Sequence, residues 1–216
     1  MITTVFLALG AFCAAGSSDA SRVTPSVHES RVTTHRVGVD SAYKALYESG
    51  ETFADFLAKA TARKEQWEGN YALNVAPDAL VTRASAAGPG WRLLVVTVSS
   101  CGDSVNSVPY LASLLEKVPS IEMRLVNPTA GKAVMESHRT PDGRAATPTV
   151  ILLDDQFNER GCWVERPANL IALMKEPEFG GRQEWYDKDR GASALEEIVQ
   201  MIEAAHAGSR KCAPVP

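Results

Sequence analysis

The apolar positions of this chain change period along its length. WRLLVVTV, residues 91–98, is a continuous apolar run of strand length rich in β-branched residues, which suits a strand covered on both faces. After Cys101 the spacing becomes helical: Val105, Val108, Leu111, Leu114, Leu115 and Val118 form one stripe, and Pro119 ends it. IEMRLVN reads as a second strand and AGKAVMESH as a short helix. TPTVILLDD and NERGCWVE read as an antiparallel hairpin turning at Gln156–Phe157. ALEEIVQMIEAAH closes the pattern as a helix, with Leu195, Ile198, Met201 and Ile202 on one face. The order is strand, helix, strand, helix, hairpin, helix. A right-handed crossover makes the first two strands parallel, and the hairpin adds antiparallel pairing.

The flanks differ from this core. Residues 41–71 carry Tyr43, Leu46 and Tyr47, then Phe53, Phe56, Leu57 and Ala60 at helical spacing, which predicts two short helices joined at Gly50. The chain therefore divides into an N-terminal leader over 1–20, a polar linker over 21–38 and a helical extension over 39–75. An α/β domain over 76–208 and a flexible tail over 209–216 follow. The leader is apolar and ends in small residues, as a signal peptide's h-region and cleavage zone do, but no Lys or Arg precedes it. Export to a periplasmic or extracellular space is the expectation, and a packed apolar helix on a cytoplasmic protein is the alternative.

Composition narrows the function. A net charge of −4 and scattered basic residues argue against a nucleic-acid surface. No apolar run reaches the roughly 18 residues needed to span a bilayer. Four cysteines are too few for a disulfide scaffold, and the four histidines are far apart in sequence with no zinc-type spacing, so no metal or cofactor is expected. Cys162 beside Trp163 reads as a small core hydrophobe, and Cys212 lies in the tail.

The chemistry concentrates in SCGDSVNSVP, residues 100–109. A cysteine at a helix N-terminus faces the positive end of the helix dipole and unpaired backbone N–H groups, and both favour the nucleophilic thiolate. Asp103 supports the helix start but opposes a thiolate, and Asp103 and Ser104 read as helix-cap types. Asn106 reads as a solvent-facing helix position. Trp185 and Tyr186, in the Gly-rich polar segment 175–191, are aromatics placed where they can cover a site or meet a partner.

Together Cys101, Pro109 eight residues on and Thr147-Pro148 opening the third strand resemble the thioredoxin-like superfamily, over roughly Trp91 to His206. The motif resembles a bacterial single-cysteine branch with a WCGDSxNxxP-type sequence. The resemblance implies a three-layer sandwich, a central mixed β-sheet flanked by helices with an N-terminal helical extension. It also implies a cis bond at Pro148 facing the cysteine, and a site built from Cys101 and Ser104 as catalytic residues with Ser100, Gly102, Asp103, Thr147 and Pro148 binding substrate.

The departures from that pattern shape the expected function. Ser104 replaces the resolving cysteine, Ser100 the preceding tryptophan, and Val95 the buried acid six residues before the cysteine. The expectation is a monothiol thiol–disulfide oxidoreductase acting on protein or low-molecular-weight disulfides, with an external thiol as reductant. The alternative is a redox-inactive module that binds extended peptide. An iron–sulfur carrier is a weaker third reading, since the glutathione-binding lysine and Gly-Gly-Asp turn of monothiol glutaredoxins are missing.

Overall fold

A computed structural model describes residues 42–73 and 75–213. The leader with its Cys13 and the whole linker lie outside the described residues.

Alternation within the strands builds the layers. β1 (Trp91–Val96) sends Leu93 and Val95 to one face of the sheet and Leu94 and Val96 to the other, all of them buried. β2 (Ile121–Val126) pairs parallel to β1, while β3 (Thr149–Leu153) pairs antiparallel on the other side. β4 (Glu159–Val164) returns antiparallel to β3, β5 (Lys211–Ala213) lies beside β4, and the sheet order is β2-β1-β3-β4-β5. The strand, helix, strand, hairpin order expected from periodicity is the order observed, and the three-layer mixed sandwich stands.

One face of the sheet carries the larger core. It packs α2 (Phe53–Lys59), α3 (Lys64–Ala72), α4 (Asp78–Ala86), α6 (Val108–Glu116) and α10 (Ala192–His206) over Leu93, Val95, Val150, Leu152 and Trp163. The other face is covered by α1 (42–48) and α7 (Lys132–Ser137) through Tyr43, Tyr47, Val134 and Met135. Two glycines permit close approaches. A Cβ at Gly161 would lie 2.6 Å from Met201 and 2.7 Å from the Lys211 carbonyl, and Gly191 holds φ 78° against the Tyr110 ring.

Several expectations need correction. The helix expected over 51–71 is two helices, because Ala60 leaves helical geometry and Arg63 adopts a left-handed φ of 55°. α4 was not anticipated; only Leu80 and Ala84 are buried along it, so its apolar period is faint. The single stripe after Cys101 is broken into α5 (Gly102–Val105) and α6. Pro109 has no N–H to give the Val105 carbonyl four residues back, and Asn70 Nδ2 supplies that bond at 2.7 Å.

The tail also differs. Lys211–Ala213 forms β5, parallel to β4, with Cys212 directly opposite Cys162. Those two cysteines form a disulfide, where Cys162 was read as a lone core hydrophobe and Cys212 as part of a mobile end. The 175–191 segment is not irregular throughout. α8 (Ala168–Leu173) precedes it and α9 (Arg182–Asp189) lies within it. Among the described residues, no helix is long and apolar enough to cross a membrane.

Candidate functional site

The site begins where β1 ends. The chain leaves Val96, turns so that the Cys101 N–H donates to the Val98 carbonyl at 3.0 Å, and enters α5 with Cys101 as its N-cap. The Cys101 thiol donates to the Thr147 carbonyl at 3.1 Å, and Sγ accepts the Ser104 N–H at 3.4 Å. The Thr147-Pro148 bond is cis. Cys101, Ser104 and Thr147 are thus brought together across strands that are far apart in sequence.

The helical extension is part of this site. From α3, Trp67 Nε1 donates to the Ser99 carbonyl at 3.0 Å, and Arg63 Nε donates to the Ser100 carbonyl at 3.2 Å. Trp67 is fully buried against Phe53 and Phe56, so the first of these bonds is anchored in the core. The loop before the cysteine is therefore fixed from outside the sheet domain, by residues the sequence reading assigned to an appendage.

Asp103 lies in the first turn of α5, as expected of a helix-start residue, and it is also the hub of a buried ion network. It is 5% exposed. Arg166 reaches it with Nε and Nη2 at 3.1 Å each, Tyr186 OH at 2.8 Å, and Arg182 Nη1 at 3.2 Å. Arg166 also meets Glu165 at 3.0 Å, and Glu165 accepts two bonds from Arg144. The Glu165 N–H donates to the Pro148 carbonyl at 2.8 Å, so the network reaches the cis-proline loop. Burial opposes the charge on Arg166, yet the hydrogen bond and charge of Asp103 more than offset it, and its pKa is raised. Burial, then the Asp103 charge, pushes the Tyr186 phenol far above its ordinary value. Tyr186 is thereby kept as a donor.

Ser104 and Asn106 are both buried. The Ser104 hydroxyl has no hydrogen-bond partner among the described residues. Asn106, expected to face solvent, donates to the Gly102 carbonyl at 2.7 Å and so helps close α5. Ser100 is exposed. Sequence reasoning missed Arg63, Glu165 and Arg166 entirely. The one available signal was the charged pair Glu165-Arg166 directly after a buried strand and before Pro167, which demands partners. Arg182 was missed as well, although Tyr186 from the same helix was singled out.

A second polar cluster lies on the opposite face of the sheet. His138 Nε2 and Glu159 Oε1 are 3.0 Å apart, Tyr43 OH donates to Glu159 Oε2 at 2.7 Å, and Arg210 also pairs with Glu159. The ligand atoms of His138, Glu159 and Cys162 lie within 4.8 Å of one another. The sulfur is held in the disulfide and the carboxylate is already shared by three donors, so the cluster fits a structural role.

The five-stranded mixed sheet, the N-capping cysteine and the facing cis-proline define a thioredoxin-like protein. The chain belongs to the thioredoxin family: the family profile described as Thioredoxin (Thioredoxin_9) matches residues 50–183, which includes the helices that brace the loop. A crystal structure of a protein of unknown function, PA1234 from Pseudomonas aeruginosa, is 25% identical with TM-score 0.60, covering 77% of this chain and 97% of that one. An HIV epitope-scaffold is 26% identical with TM-score 0.58, covering 77% and 98%. No curated protein matches the chain.

Proposed function

We propose that the protein is a monothiol thiol–disulfide oxidoreductase of a single-cysteine thioredoxin-like branch, with Cys101 as its nucleophile. The observation that carries this reading is the position of the sulfur. It caps a helix, accepts a backbone N–H and lies against the cis-proline loop, and it is the free cysteine of the described residues. The Cys101 thiolate attacks one sulfur of a substrate disulfide, forming a Cys101 mixed disulfide and releasing the other half as a thiolate. An external thiolate then attacks the substrate-side sulfur of that mixed disulfide, which restores Cys101 and leaves a new disulfide. Ser104 offers a hydroxyl, so resolution from within the motif does not occur. Ser100, Gly102 and Thr147 shape the surface that meets the substrate, with Asp103 and Pro148 buried beneath it. The Cys162–Cys212 disulfide supports export over the cytoplasmic alternative, since such bonds persist in oxidising compartments. N-terminal sequencing of the mature protein tests that point.

One observation favours the redox-silent binding module: the thiol is engaged as a donor to Thr147. The two readings separate in one measurement. At neutral pH, Cys101 in the folded chain should alkylate faster than the same residue in urea, with mass spectrometry locating the adduct. Slower alkylation in the folded state leaves the binding module standing. In the Ser104→Cys variant, a second thiol one turn along should add disulfide reductase activity towards insulin.

A further inference from the structure

We propose that the disulfide substrate carries an anionic group, a carboxylate or phosphate, close to its sulfur, and that Arg63 and Arg182 hold it above Gly102. This rests on Cys101 being the reacting thiol. The observation is a convergence. A Cβ placed on Gly102 would lie 3.6 Å from Arg182 Nη2 and 3.8 Å from Arg63 Nη2. The two guanidinium tips come from α9 and from the N-cap of α3, and they overhang the same point one residue from Cys101. Like charges do not gather over a bare backbone without something to offset their repulsion.

The protein supplies only part of that offset, through Asp103. Arg63 spends Nε on the Ser100 carbonyl and Nη1 on Gln66 Oε1, both neutral acceptors, and no carboxylate pairs with it among the described residues. Arg182 gives Nη1 to Asp103, whose single charge is already engaged by the Arg166 fork and by Tyr186. Both Nη2 groups lie near Gly102, and neither has a hydrogen-bond partner among the described residues. Arg182 is 41% exposed and Arg63 is also exposed, so an incoming molecule reaches them. Arg63 further holds a left-handed φ of 55°, a costly conformation for a residue with a side chain, and strain of that kind clusters at functional sites. Paired planar guanidiniums suit carboxylate and phosphate oxygens alike. Because Gly102 directly follows Cys101, the ligand is a compact thiol with its acidic group a few bonds from the sulfur.

The test compares alkylation of Cys101 by iodoacetate and by iodoacetamide, which are nearly the same size but differ in charge. The ratio of the two rates in the folded chain, divided by that ratio in urea, should be raised about tenfold at low salt and collapse towards one at high salt. Arg63→Gln and Arg182→Gln should each lower it severalfold, while Arg63→Lys should retain most of it. In Gly102→Ala, a methyl at ordinary contact distance should also lower it without disturbing the fold. A ratio at or below one overturns the proposal, whether or not exchange occurs. A raised ratio with no mixed disulfide formed from any probe disulfide keeps the anion site and defeats the exchange reading. Mixed-disulfide formation with 3,3′-dithiodipropionate against a phosphate-bearing disulfide, each scaled to its rate with 2-mercaptoethanol, then tells carboxylate from phosphate.

Discussion

Asp103 shows how far a residue's role can lie from its neighbours in sequence. Read locally, an acid two positions after a cysteine supports a helix start and opposes a thiolate. In the fold, two arginines and a tyrosine reach it, the first of them 63 positions away. Its charge is thereby spent on Arg166, and its effect on the thiol is no longer that of a free acid. Removing one member of a buried pair strands the other charge. Arg166 is only 12% exposed at its side chain, so Asp103→Ala should cost about 3 kcal/mol in urea unfolding. Tyr186→Phe deletes one hydrogen bond to a charge and should cost about 1–2 kcal/mol. A loss under about 0.5 kcal/mol for Asp103→Ala would mean that the network is solvated and that Asp103 acts as a plain surface acid. No pattern in the sequence pairs Asp103 with Arg166; that contact exists only once β4 has returned beside β3. Cys101 and Pro148 were legible because their motifs are local, and their juxtaposition came from the resemblance to the thioredoxin-like superfamily.

At the scale of elements, strong periods located their elements, though the stripe after Cys101 hid a break between α5 and α6, and weak periods located nothing. α10 shows seven buried positions over 15 residues, and its apolar face was plain in the sequence. α4 buries two, so nothing marked it. β5 is three residues long and depends on register, since only the parallel pairing of β4 with β5 sets Cys212 opposite Cys162. A bond between residues 50 apart closes a long loop in the unfolded chain. By the chain-entropy account, Cys212→Ser should lower stability by about 4 kcal/mol. Hydrogen exchange at the amides of β4 should accelerate in the same variant, because its outer partner strand loses its covalent tie. An unchanged urea midpoint under oxidising conditions would show that the bond does not form in the folded chain.

Across the whole molecule, the two faces of the sheet hold different kinds of polar device. The Cys101 face carries an ion network that reaches solvent at Arg182, with the exposed Arg63 beside it. The other face carries a cluster that ties α1, the end of α7, β4 and the approach to β5 through Tyr43, His138, Glu159 and Arg210. Its titration gives stability a defined pH window. Burial opposes the charge on Glu159, but His138, Arg210 and Tyr43 outweigh it and bring the pKa from 4.5 down to about 2. A depressed acid contributes stability that is fully present above its unfolded value and is lost as pH falls through the folded one. Burial also opposes the charge on His138, and Glu159 outweighs that, so its pKa is raised from 6.5. A raised histidine contributes stability that is fully present below its unfolded value and is lost as pH rises through the folded one. Both contributions are therefore complete only between about pH 4.5 and 6.5. Within that window the depressed Glu159 contributes about 3 kcal/mol. Glu159→Gln keeps the shape and removes the charge, so the stability difference between the parent chain and this variant should peak in the window. It should shrink towards pH 2 and again above neutrality. A difference that stays level from about pH 2 to 8 would show that the cluster is held by packing and the disulfide rather than by its charges.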